Sequence, residues 1–122
     1  MTAYAPPGWP DGVLPPGAPD WQAGAVAFLF DCCPADFRAY PVLRRHPVVL
    51  ARFAVHFVAG QVRASTEGLA GIRTSLQTQV GAEVVEAAAQ AWLEQSARLT
   101  RTQRAVGLVE EALRGQVFRP RL

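Results

Sequence analysis

Two rows of large apolar residues, each spaced by seven, mirror one another about Gly81. Val48, Val55, Val62, Leu69 and Leu76 make the first row, and Val85, Trp92, Leu99, Val106 and Leu113 the second. A repeat of seven keeps one stripe of an α-helix turned toward one neighbour. When the chain doubles back at Gly81 the rows meet layer by layer: Leu76 on Val85, Leu69 on Trp92, Val62 on Leu99, Val55 on Val106, Val48 on Leu113. The chain is therefore expected to be all-α, built on a long antiparallel helical hairpin with helices over 47–79 and 82–114. Each helix would be about 50 Å long.

Local signals agree with this plan at most points. Pro47 suits the first position of a helix. Glu83 and Glu86 complement the start of the second long helix, and Arg114 followed by Gly115 suits its end. Gly60, Gly68 and Gly71 oppose it, since each glycine inside a helix costs about 1 kcal/mol against alanine. A break between Ser65 and Gly71, with Ser65 or Thr66 as a new cap, is the alternative. The unbroken heptad phase through Val62, Leu69 and Leu76 favours one continuous helix.

Residues 1–20 form a segment of another kind. Six of the ten prolines lie here, and the unit Pro6-Pro7-Gly8-Trp9-Pro10-Asp11 recurs as Pro15-Pro16-Gly17-Ala18-Pro19-Asp20. Proline fixes φ and removes donors, so an extended, polyproline-like arm broken by glycine turns is expected. Trp9, Val13 and Leu14 give the arm apolar surface to bury against the helices. Asp20 stands where an N-cap carboxylate would sit before a helix over 21–32, which Pro34 ends. Phe37 to Arg45 suggests a turn or short helix. The helical domain then spans 21–115, followed by a tail over 116–122.

The two ends of the hairpin differ in what they must bury. Near the base, Leu50, Phe53, Ala54, Val55, Phe57 and Val58 sweep an apolar arc of about 200°, wider than one neighbour needs. Ala105, Leu108 and Ala112 offer a matching face, so the short helix, with Phe28, Leu29 and Phe30, is expected to complete a three-helix cluster there. The distal half, from Val62 to Leu99, has no partner within the chain. Leu69, Ile72, Leu76 and Trp92 would stay partly wet, and exposed apolar surface of that kind marks association. A homodimer whose two hairpins form a four-helix bundle is the expected remedy.

Composition narrows the functional classes. Half of the 122 residues are hydrophobic and 18% are charged, so a packed core needs no disulfide or metal staple. All twelve basic residues are arginine, yet the net charge is only +2, too small by itself to argue for nucleic acid or an anionic membrane. The longest apolar run, Ala25 to Phe30, falls far short of the ~20 residues a membrane span needs. No basic region followed by an apolar stretch and cleavage site marks a secretory signal. A cytoplasmic protein is expected, with Cys32 and Cys33 as reduced thiols, because a bridge between neighbours is strained.

Candidate chemistry is sparse. Arg45, Arg52, His56 and Arg63 fall close together on one helical face, which suits either an acidic partner or a solvated strip with Arg63 and Glu67 paired four residues apart. Cys32, Cys33, His46 and His56 lack the spacing that brings two thiolates to one metal ion. Asp31, Asp36, His46 and His56 are the only residues around which a small enzyme would be built, and no phosphate loop, nucleophile elbow or metalloprotease motif accompanies them. Arg98, Arg101, Arg104, Arg114, Arg119 and Arg121 make the C-terminal third basic, but interleaved aromatics for base stacking are missing apart from Phe118. Trp9 is either an intramolecular clamp or a residue displayed to a groove on another protein. The expectation is a non-enzymatic, cofactor-free interaction or scaffolding module that self-associates and engages an unidentified protein partner. Trp9, Arg45, Arg52, His56, Arg63, Leu69, Ile72, Leu76 and Trp92 are its candidate contacts. A nucleic-acid or phosphate-binding module using the arginines is the first alternative, and an enzyme or metal site between Asp31 and His56 the second.

Overall fold

The computed structural model describes residues 3–121. Helix α1 (Trp21–Asp31) is followed by a 3-10 turn (Ala35–Ala39), a short α2 (Pro41–Arg45), and two long helices, α3 (Pro47–Leu76) and α4 (Ala82–Leu113). The fold is all-α, and α3 and α4 form the long hairpin. Three cross-hairpin contacts set the register: Arg73 to Glu86, Gly68 against Trp92, and Arg52 to Glu110. Each lies within two residues of the layer that the heptad rows imply.

Helix α3 runs unbroken through Ser65 to Gly71. It stops at Leu76 rather than Gln79, because the polar run Gln77-Thr78-Gln79 has nothing to bury and forms the turn, with the amides of Gln79 and Val80 donating to the Leu76 carbonyl. Gly81, in extended conformation, caps α4. Helix α4 ends at Leu113, one residue early, in a Schellman motif. Gly115, at φ 99°, donates to the Ala112 carbonyl and Gln116 to that of Glu111.

The N-terminal arm departs from the expected extended form. It is a succession of tight turns, with Trp9 N–H donating to Pro6, Val13 to Pro10 and Ala18 to Pro15. Gly8, Gly12 and Gly17 occupy the third place of these turns at φ 93°, 79° and 92°, the left-handed conformation a type II turn needs there. The repeated Pro-Pro-Gly unit thus makes the same turn twice. Asp20 occupies the N-cap position of α1 but its side chain does not cap: its φ of 59° lies in the left-handed region and its carboxylate makes no bond to the amides of α1. The turn Ala18–Trp21, closed by Trp21 N–H on the Ala18 carbonyl, sets that backbone. Helix α1 also ends one residue early, at Asp31.

The core sits at the base. Ala25, Leu29, Leu43, Leu50, Ala51, Ala54, Val106 and Val109 are fully enclosed, with Trp9, Trp21, Phe30 and Val58 around them. Helix α1 touches both long helices, and α2 adds Leu43 as a further wall. Beyond Val58 burial thins: Ser65, Val85 and Ala89 are the only buried residues of the distal hairpin, while Val62, Leu69, Ile72, Leu76, Trp92 and Leu99 are half-buried.

Candidate interaction surfaces

The heptad rows are spent on the intramolecular seam. Leu69, Ile72 and Leu76 lie half-buried between α3 and α4, and Trp92 lies there with them, its indole N–H donating to the Ser65 carbonyl at 2.8 Å. Surface left for a partner comes from residues beside the rows. On α3, Phe53, Phe57, Gly60, Ala64, Gly68, Gly71 and Ser75 fall within an arc of about 80°. On α4, Val84, Ala88, Ala91, Gln95 and Thr102 fall within about 60°. Ala64 and Gln95 line one shallow groove of about 250 Å³ with Ser65, Trp92 and Leu99, so the two stripes form one side of the hairpin. No residue of either stripe is charged.

The lower end of that side is covered by the chain itself. Phe37 packs edge-on against Phe53 and Phe57 at ring separations of 5.9 and 6.2 Å. Phe28 and Trp9 share a cavity with Thr102. Above Gly60 no described residue from outside the hairpin covers it, although Arg63 reaches Gly60 and Trp92 lies on Gly68, and Val84 is 53% exposed. Charge gathers elsewhere along the hairpin, in the pairs Arg73–Glu86 at 2.9 Å and Arg52–Glu110 at 3.0 Å. The Arg73 guanidinium holds the Glu86 carboxyl below its usual range. Sequence reasoning reads Ala82, Ala87, Ala88, Ala89 and Ala91 as small residues that let helices approach, but names the large Leu69, Ile72, Leu76 and Trp92 as the contacts and does not find the matching stripe on α3. Counting small uncharged residues at helical spacing from Gly60 and from Val84 would have found it.

Trp9 is turned inward. It is 8% exposed, packs against Trp21 at 5.9 Å, and its indole N–H is shared between the Val13 and Leu14 carbonyls. Arg104 fastens the arm to α4 through Nε and Nη2, both donating to the Pro7 carbonyl.

The arginine stripe is not one surface. Arg45 ends α2, and His46, with φ −128° and ψ 88°, separates it from α3, so Arg45 shares no helix with Arg52, His56 and Arg63. Arg52 pairs with Glu110, which Arg114 also approaches at 3.5 Å. Arg63 and Glu67 are both exposed and form no ion pair, contrary to the i, i+4 pairing expected of them. His56 borders an apolar shelf made by Phe37, Phe53 and Phe57.

Between Asp31 and His56 the polar side chains make local contacts. Asp31 accepts from Arg38 at 2.7 Å, and the Arg38 guanidinium lies over the Phe30 ring. Cys32 and Cys33 are free thiols. Burial, reinforced by the neighbouring Cys33 and Asp31, pushes Cys32 up to about 11, and burial raises Cys33 as well. Both resist the thiolate form that nucleophilic or metal chemistry uses. Among the described residues, no three His, Cys, Asp or Glu side chains are grouped to hold a metal ion. No helix among them is long and apolar enough to cross a membrane. Compared with known protein families, with curated proteins and with solved structures, the chain matches none.

Proposed function

We propose that this protein is a non-enzymatic interaction module that pairs with a second copy of itself through the uncharged side of its distal hairpin. One observation carries the reading: a single side of the hairpin is covered by Phe37, Phe28 and the arm at its base and left bare above Gly60. Gly60, Ala64 and Gly71 bring no bulk to that side, and a Cβ at Gly71 would meet nothing within 4 Å. Small residues let a neighbouring helix approach closely, and charge borders that side only where the Arg63 guanidinium reaches Gly60, so little that is ionic is desolvated when two such sides meet. Two hairpins related by a twofold axis would complete a four-helix bundle around Trp92. A reducing, cytoplasmic setting suits the unbridged neighbours Cys32 and Cys33.

Sedimentation equilibrium tests this. The intact chain should sediment as a dimer, and Ala64→Glu or Ala91→Glu, each placing a charge on the bare side, should return it to a monomer. Leu93→Glu, on the other side of α4, should leave the dimer intact. A wild-type chain that stays monomeric at high concentration would end the proposal.

A further inference from the structure

A second surface, at the base of the hairpin below the bare side, gathers three arginines. The arm, α1 and α4 border an open cleft of about 410 Å³, within the size range of ligand pockets. Arg98, Arg101 and Arg104 line it from successive third positions of α4, and Asp11 is the one carboxylate on its wall. Among the described residues, Arg98 and Arg101 have no acidic partner within ion-pair distance. Arg104 is held in place by its two bonds to the Pro7 carbonyl, which leaves its other amino group free to donate. Trp9 and Phe28 supply apolar wall beside these cations.

From this geometry we infer that the cavity binds a phosphate monoester on a small apolar or aromatic body. Three guanidinium groups facing one carboxylate leave two positive charges in formal balance, and a phosphate monoester carries about −1.5 to −2 near neutral pH. A monocarboxylate would leave one of those charges unmatched. Guanidinium forks fit phosphate oxygens in pairs, and the aromatic wall accepts the ester's apolar part. A free metabolite-sized ester and a phosphorylated side chain present the same chemistry to the arginines, and the probes below distinguish them.

Isothermal titration calorimetry on the intact chain tests this, with phenyl phosphate, a short phosphotyrosine peptide and benzoate as probes. Saturable one-to-one binding of phenyl phosphate is expected, weakened about tenfold or more in Arg98→Gln/Arg101→Gln and unchanged in Arg119→Gln/Arg121→Gln. Both altered pairs are exposed, and thermal melting verifies that the variants fold. Tighter binding of the peptide than of phenyl phosphate would assign the phosphate to a protein, and equal or weaker binding to a small molecule. Absence of saturable binding by either phosphate probe, equal binding of benzoate, or a double variant that binds like the wild type would each overturn the inference.

Discussion

A Cβ at Gly68 would lie 2.5 Å from Cζ2 of the Trp92 ring across the hairpin. The indole can therefore lie flush on α3 only because position 68 has no side chain, and from there its N–H reaches the Ser65 carbonyl at 2.8 Å. A glycine that weakens its own helix thus makes room for the largest side chain of the distal seam. The energetic link is between local propensity on α3 and packing from α4, and packing prevails.

Gly68→Ala should consequently destabilise the protein, against the usual gain of about 1 kcal/mol for such a change in a helix. Overpacking of this kind costs about 1–3 kcal/mol. Gly71→Ala, with open space around the new methyl within one chain, should show the ordinary gain when unfolding is followed at concentrations low enough to keep the chain monomeric. Thermal unfolding of the two variants checks the contrast, and a rise in melting temperature for both would mean that Trp92 does not pack against Gly68.

The arm is held by Trp9 more than by Arg104. Trp9→Ala empties a buried aromatic site next to Trp21, a loss of about 3–5 kcal/mol. Arg104→Ala removes two exposed bonds to the Pro7 carbonyl and should cost about 1–2 kcal/mol. Denaturant unfolding orders the two. A Trp9→Ala chain as stable as Arg104→Ala would show that the arm contributes little to the core.

The hairpin was legible because the heptad rows of Val48 to Leu76 and Val85 to Leu113 report a neighbour at fixed phase, which is a property of periodicity alone. The Schellman end at Gly115 was legible for a similar reason, since a lone glycine after a helical run marks a backbone requirement. Asp20 misled because a capping residue type does not fix its own φ, and the Ala18–Trp21 turn did. The role of Gly68 depends on Trp92, twenty-four residues away, and no local rule carries that. The α3 half of the bare side was missed because Gly60, Gly68 and Gly71 register as weak helix signal, whereas the proposed pairing draws on the space that Gly60 and Gly71 leave.

Arg52 and Arg63, though both exposed on α3, should behave differently. Arg52 lies in ion-pair contact with Glu110, whose side chain is only 12% exposed and whose Oε2 has no hydrogen-bond partner, so Arg52→Gln strands a largely buried carboxylate. Arg114, at 3.5 Å from the same oxygen, softens the loss, and about 1–2 kcal/mol is expected. Arg63→Gln should fall within about 0.5 kcal/mol of the wild type. Adding Glu110→Gln to Arg52→Gln should recover part of the stability, because the stranded charge is then gone. Equal tolerance of both single changes would mean that the Arg52–Glu110 pair is not held in solution.

Cys32 ties stability to alkaline pH. Its thiol is pushed up from 9.0 to about 11 in the folded chain, chiefly by burial. Between these values the unfolded chain has lost the proton and the folded chain keeps it, so raising the pH favours unfolding. The contribution is fully present below pH 9 and is lost as the pH rises toward 11. Cys33, also raised by burial, adds in the same direction. Urea unfolding followed from neutral pH into this window should show the midpoint falling, and Cys32→Ala should fall less steeply because its unfolded state has one thiol fewer to ionise. Alkylation gives an independent reading: near neutral pH the thiol of Cys32 should react more slowly in the folded chain than in the urea-unfolded chain, since the thiolate is the reacting species. Identical pH slopes for wild type and Cys32→Ala, together with equal alkylation rates in the two states, would mean that α1 does not shield its C-terminal thiol.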